Sequence, residues 1–416
     1  MSSIQDDNLK TEVFRQVFAL SAASNLVGNY KGTQSYLQSC LEAELPSIVD
    51  EISGQWKVVW GPVVWKDQPD NSETGPDNSW FVARNPSVVF DDGSTHDTYV
   101  VAIAGTATYS MYGWTTENLA VDRVVDFPTW VEGGITRPPV TVNPEDVDLD
   151  GTYAANGTTA TVHNLLTLPN TADSAGPTLY EFLSRIPGSS TTRIVFTGHS
   201  LGGALSPTMA LALVKSGALN VEASVYFTAG ASPGNGNFAN LFAQTFPASQ
   251  CSDVEYAVWN TNIINSLDIV PQAWCAKRKQ SPAQNLNNIP PIYGLPVIPF
   301  IAIAIFFLKY QANCSGIVYV PLQSRIIPGT RPSATPKEVL EFLNVALENH
   351  GAFYRRLFGI DSMAPVIRAS YGLVEKSEEE KLLGIPVIGS IEWGNEHRDD
   401  ADAAVAALLE GELDDE

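Results

Sequence analysis

The chain has 416 residues, 44% of them hydrophobic and 10% aromatic, enough apolar material for a large folded core. Its formal charge is −22, from 46 acidic against 24 basic residues, which disfavours binding to nucleic acid or to an anionic membrane through general electrostatics. The four cysteines, Cys40, Cys251, Cys275 and Cys314, have no C-x-x-C spacing and predict neither a metal site nor a redox motif.

The opening Met-Ser-Ser-Ile-Gln-Asp-Asp-Asn-Leu-Lys lacks the basic and then apolar pattern of a secretory signal, so a cytoplasmic location is expected. Export by another route stays open; the cysteines would then supply up to two disulfides, and Asn156 and Asn313 head N-x-S/T sequons. From about Trp56 to Gly359, strand-like and helix-like runs alternate with no long polar gap and no internal repeat. That predicts a single α/β unit over residues 1–374.

Residues 99–104 form an apolar run suited to a buried parallel strand, and they end in Gly105-Thr106-Ala107-Thr108. Residues 109–119 follow. Met111, Tyr112, Trp114 and Leu119 give them an apolar underside suited to a lid over a cleft, although ordinary core contacts account for the same residues equally well. Residues 115–142, rich in Pro and Gly, read as a long connection, which sets the lid region at about 107–142.

Residues 193–205, Arg-Ile-Val-Phe-Thr-Gly-His-Ser-Leu-Gly-Gly-Ala-Leu, read as a β-branched strand, a tight turn and the small-residue start of a helix. A Gly-x-Ser-x-Gly turn in that setting is the nucleophile elbow of an α/β-hydrolase, a central, mostly parallel sheet flanked by helices. Ser200 would sit in a strained turn with its hydroxyl projecting, and Gly198 and Gly202 leave room where a Cβ would clash. A second match, Gly230-Ala231-Ser232-Pro233-Gly234, follows another strand-like run at 223–228. Chemistry separates the two. The residue after the nucleophile must donate its N–H to the developing oxyanion, which Leu201 can do and Pro233 cannot. Ser200 is the predicted nucleophile, and residues 230–236 are expected to be a structural loop.

A serine hydroxyl needs a base, and the base an acid, which in this fold follow in the order Ser, Asp or Glu, His. Two aspartates stand between Ser200 and His350, Asp253 before an apparent strand at 254–259 and Asp268 after it. Catalytic groups of open α/β sheets gather at the carboxyl ends of strands, which selects Asp268 over Asp253; the competing reading of Asp268 is a turn former before Ile-Val-Pro. Of the late histidines, His397 lies in an acidic tail, and His350 follows an amphipathic helix at 337–347, on an expected loop. The predicted oxyanion donors are the backbone N–H groups of Leu201 and Thr106.

Residues 295–308 are strongly apolar, but fourteen residues with two prolines are too short for ~30 Å of hydrocarbon, which needs about 20. They are expected to form a buried helix within an insertion at about 276–313, or an apolar wall of the cleft or a lipid-facing surface. Lys277-Arg278-Lys279 reads as a solvated loop. Residues 375–416 carry 14 acidic against 3 basic residues, half of the net charge, and predict a solvated helix at 401–409 and a frayed tail.

Together these segments resemble the class 3 lipase family, the fungal triacylglycerol lipase type. The resemblance rests on Gly105-Thr106 after a strand, Gly198-His-Ser-Leu-Gly-Gly203, Asp268-Ile-Val-Pro271, His350 with Tyr354 four residues on, and Pro233-Gly-Asn-Gly-Asn-Phe-Ala239, in order over about 105–359. It implies a serine carboxylic ester hydrolase working through Ser200, His350 and Asp268 and needing neither metal nor organic cofactor. The implied substrates are acylglycerols or other medium or long acyl esters, met at a lipid–water interface, with no nucleic-acid partner and no transmembrane anchor. Two departures concern substrate preference: Ala104 stands where the family often has Arg, and the span between Asp268 and His350 is long. A phospholipase or feruloyl-type esterase of the same fold, or a catalytically silent lipid-binding protein, are the alternatives.

Overall fold

The computed structural model describes residues 11–110, 120–169 and 176–360. Its centre is a seven-stranded sheet. The strands β1 (Lys57–Trp65), β2 (Asn78–Val89), β3 (Thr95–Ile103), β4 (Thr192–His199), β5 (Glu222–Thr228), β6 (Asn262–Asn265) and β7 (Ser324–Ile327) lie side by side in chain order. The first three pair antiparallel and β3 to β7 pair parallel. This is the mostly parallel, helix-flanked sheet of an α/β-hydrolase.

The central strands are legible because both of their faces are covered. In β3, Val100 and Ala102 join the core under helices Val13–Ala23 and Gln34–Ser53, whereas Val101 and Ile103 join the core on the other face. In β4, Val195 belongs to the first core and Ile194 and Phe196 to the second. Side chains alternate across a sheet, so burial of both faces demands an unbroken apolar run. Helix Leu201–Lys215 returns from β4 to β5 across the second face, and its apolar composition all round fits its near-complete burial.

The described part of the region at 115–142, residues 120–142, is not a plain connection. It holds a strand at Val124–Asp126, a helix at Phe127–Gly133 and a strand at Thr141–Val142. With Tyr153–Ala155, Gly234–Asn235 and Tyr319–Val320 these strands form a second, antiparallel five-stranded sheet. Strands of two or three residues are too short to show a period-2 pattern, so the sequence conceals them. The loop expected at 230–236 likewise contains one of these strands, and the Asn235 side chain caps helix Gly236–Thr245 by accepting the Phe238 N–H at 3.0 Å.

Two further differences bear on the site. The parallel strand before Asp268 is β6, Asn262–Asn265, while 254–259 holds only Val258–Trp259, paired with Ser249–Gln250. His350 is not on a loop: helix Val339–Leu347 passes through a π turn at Glu348–Ala352 into helix Phe353–Phe358. The apolar segment forms helix Pro299–Asn313, and among the described residues no helix is long and apolar enough to cross a membrane. Met111, Tyr112, Trp114 and Leu119, and the acidic segment 375–416, lie outside the described residues.

Candidate active site

Ser200 joins β4 to helix Leu201–Lys215 with φ +59° and ψ −122°, a conformation that L residues rarely adopt. The turn closes only because its neighbours lack side chains. A Cβ on Gly198 would collide with the Gly202 backbone, and one on Gly202 with the Ile103 carbonyl. The Ser200 N–H is held by the Thr228 carbonyl at 3.1 Å, which ties the elbow to the end of β5.

The loop after β3 runs alongside this turn. A Cβ on Gly105 would stand 3.2 Å from the Ser200 Cβ and 3.0 Å from the His199 carbonyl oxygen, so Thr106 follows a residue in direct contact with the elbow. Leu201 opens its helix, where the first N–H groups have no intrahelical acceptor and carry the positive end of the helix dipole.

Asp268 is fully buried three residues beyond β6. Its Oδ1 accepts the Val270 N–H at 3.0 Å, its Oδ2 accepts the Tyr354 hydroxyl at 2.9 Å, and His350 Nδ1 stands 3.0 and 2.9 Å from the two oxygens. Tyr354 also accepts the Asn265 N–H at 2.9 Å. Burial, reinforced by the charge of Asp268, pushes the Tyr354 hydroxyl well above its ordinary pKa, so it remains a donor.

The π turn that carries His350 is fastened to β6. The Asn265 side chain donates to both the backbone and the side-chain oxygens of Asn349, at 3.0 and 2.9 Å. The side chain of His350 keeps 19% of its surface exposed, while Asp268 keeps none. Its ring lies 4.6 Å from the ring of His199, tilted by 36°. Burial, followed by the proximity of His350, holds His199 well below the ordinary histidine pKa; its Nδ1 stands 2.8 Å from Thr228 Oγ1. Of the two adjacent imidazoles, His199 is therefore held neutral. Among the described residues, no hydrogen bond joins Ser200 Oγ to His350; such contacts are often long in unliganded enzymes and tighten when substrate binds.

The structure thus gathers Ser200, Leu201, Thr106, Asp268 and His350 at one end of the parallel sheet. Ser232 is separate in kind: it is 2% exposed, and its N–H bonds to the Ala273 carbonyl at 2.8 Å. Sequence reasoning did not assign roles to His199, Asn265, Asn349 or Tyr354. The two asparagines carry no motif, and only the spacing of Tyr354 from His350 hinted at its place.

Residues 100–277 match the family described as Lipase (class 3). The crystal structure of M37 lipase superposes with a TM-score of 0.61 at 22% identity, covering 91% of this chain and 99% of that one. The lipase from Rhizopus microsporus var. chinensis gives a TM-score of 0.34 at 15% identity, over 62% of this chain and 69% of that one. The nonglycosylated LIP2 lipase of Yarrowia lipolytica gives 0.37 at 19% identity, over 62% and 73%. No curated protein matches the chain in sequence. The chain thus carries, over residues 100–277, a region similar to the class 3 lipase family, set in an α/β-hydrolase fold.

Proposed function

We propose that the protein is a lipase that cleaves acylglycerols or other medium or long acyl esters by acyl transfer through Ser200. The observation that carries this reading is the pairing of His350 with the fully buried Asp268, next to an elbow that holds Ser200 at positive φ. The Asp268 carboxylate can only accept, so it keeps the proton of His350 on Nδ1 and leaves Nε2 as the base. Ser200 Oγ loses its proton to Nε2 as it attacks the ester carbonyl carbon. The carbonyl oxygen becomes an oxyanion that takes hydrogen bonds from the N–H groups of Leu201 and Thr106. Collapse breaks the ester C–O bond, and His350 passes its proton to the departing alcohol. Water, deprotonated by His350, then attacks the acyl-enzyme and releases the acid and free Ser200.

The preference for long acyl chains is supported by the surroundings of Asp268 and His350. Leu267, beside Asp268, packs in one apolar cluster with Ile301 and Ile305 of helix Pro299–Asn313 and with Phe342 and Ala346 of the helix leading to His350. The apolar insertion therefore stands against both segments that carry the acid and the base. A set of p-nitrophenyl esters from acetyl to palmitoyl, together with triacylglycerol emulsions, tests the reading on the wild type and Ser200→Ala. Turnover rising with chain length and lost in the variant is expected; hydrolysis confined to acetyl esters would remove the lipase assignment.

A further inference from the structure

The segment before β1 lies outside the matched family region, yet it reaches the reacting end of the sheet. Helix Val13–Ala23 packs beneath the elbow, with the Phe18 ring edge-on to His199 at 6.3 Å and stacked on Phe358 at 4.1 Å. The chain then leaves the helix through residues 24–29. Asn25, 6% exposed, places its Oδ1 2.9 Å from the Gly105 N–H.

The orientation of the Asn25 amide follows from its partners. Its Nδ2 donates to the Ser21 carbonyl at 3.1 Å, and a carbonyl can only accept. Oδ1 must then face Gly105, whose N–H can only donate. Two residues beyond Thr106 the same segment holds the loop again: the Thr108 N–H donates to the Gly28 carbonyl at 3.1 Å, and its hydroxyl to Asn29 Oδ1 at 2.6 Å. The turn is itself closed by the Gly28 N–H on the Asn25 carbonyl at 2.8 Å. Gly105 therefore stands between Asn25 on one side and Ser200 on the other, and Thr106 lies between two residues, Gly105 and Thr108, that this segment holds.

We propose that Asn25 is a positioning residue for ester hydrolysis: by holding the Gly105 N–H it sets the direction in which the Thr106 N–H meets the oxyanion. The proposal rests on the assignment of Ser200 as nucleophile and Thr106 as donor. An oxyanion donor acts through its aim at charge that exists only in the transition state, so loosening its loop lowers the chemical step more than substrate binding. Asp at position 25 offers an isosteric test. Its neutral carboxyl accepts from Gly105 and donates to Ser21 as the amide does, whereas Ala can do neither.

The experiment compares wild type, Asn25→Ala and Asn25→Asp, with active sites counted by titration with an alkylphosphonate so that unfolded chains do not enter kcat. An alkyl trifluoromethyl ketone, which adds Ser200 Oγ to its carbonyl and forms an oxyanion, reads the hole directly. Asn25→Ala is expected to lower kcat per titrated site by about tenfold or more with KM within about twofold, and to weaken the ketone by a similar factor. Each variant is compared with wild type at the same pH, since His350 must be unprotonated to act. On that ratio Asn25→Asp is expected to recover most of both where its carboxyl is neutral and to lose them as it ionises and can no longer donate to Ser21. If Asn25→Ala does not fold, the pH-dependent loss in Asn25→Asp carries the test. Wild-type kcat per site in Asn25→Ala, a ratio to wild type in Asn25→Asp that does not change as its carboxyl ionises, or a fall in kcat with ketone affinity unchanged, would overturn the proposal. Failure of the phosphonate to label wild-type Ser200 would instead overturn the reading beneath it.

Discussion

His350 places Nδ1 within 3.0 and 2.9 Å of the two carboxylate oxygens of Asp268, across 82 residues of sequence. In the proposed mechanism the carboxylate selects the tautomer in which Nε2 is basic, and it stabilises the imidazolium that would form when Ser200 is deprotonated. Asp268→Asn keeps the shape but offers an amide that can donate to Nδ1 and favour the opposite tautomer. Steady-state kinetics on a soluble ester are expected to show kcat reduced by about 10³–10⁴, with the fold unchanged by circular dichroism.

Tyr354 bridges Asp268 Oδ2 and the backbone of Asn265 through one hydroxyl. Tyr354→Phe removes both bonds without changing the packing of the ring against His199, whose centroid lies 4.9 Å away. One carboxylate oxygen loses a donor, and one buried N–H its acceptor. Stability is expected to fall by about 1–3 kcal/mol in denaturant titration. Because Asp268 is then less firmly held, kcat is expected to fall more than KM rises.

His199 supplies a pH dependence of known sign. Its folded pKa lies below the unfolded value because burial disfavours the imidazolium. The group therefore costs nothing above the unfolded pKa of about 6.5, and native stability is lost as pH falls from there toward the folded pKa. The unfolding free energy of the wild type is expected to decline on acidification below about pH 6.5. In His199→Asn, that decline should be shallower by up to about 1.4 kcal/mol per pH unit, which urea titrations at several pH values between 5 and 7 would measure.

The second Gly-x-Ser-x-Gly match makes structural predictions only. Ser232 Oγ is buried with no hydrogen-bond partner among the described residues, so Ser232→Ala should leave ester hydrolysis unchanged and stability equal or higher. Gly230 is different: a Cβ there would collide with the Gly203 carbonyl in the helix that follows Ser200. Gly230→Ala is expected to lower the melting temperature by several degrees, with any activity loss following loss of folded protein.

The parts legible in sequence are those where one physical demand dictates the residue. Both-face burial makes 99–104 an apolar run and fills the centre of the next strand with Ile194, Val195 and Phe196, the elbow requires Gly198 and Gly202, and the order of Ser, Asp and His leaves few partners. Asp268 does stand against His350, as the chain order predicts, although the strand before it is Asn262–Asn265 rather than 254–259. The strand is Asn-Ile-Ile-Asn, whose asparagines serve the site: Asn262 bonds the Gly230 backbone and Asn265 bonds Asn349. A strand with polar ends does not read as a strand. The loop expected at His350 is a π turn inside a continuous helix, which has no composition of its own. Asn25 was invisible for a different reason: its role depends on a contact with Gly105 across 80 residues, and no local pattern records it.

The central claim is that Ser200 forms the acyl-enzyme, and the most direct measurement is peptide mass spectrometry of the protein after reaction with a p-nitrophenyl alkylphosphonate. The expected result is one adduct per chain on the peptide that contains Ser200, abolished in Ser200→Ala together with ester hydrolysis. An adduct on Ser232 or another residue, or hydrolysis that persists in Ser200→Ala, would contradict the account.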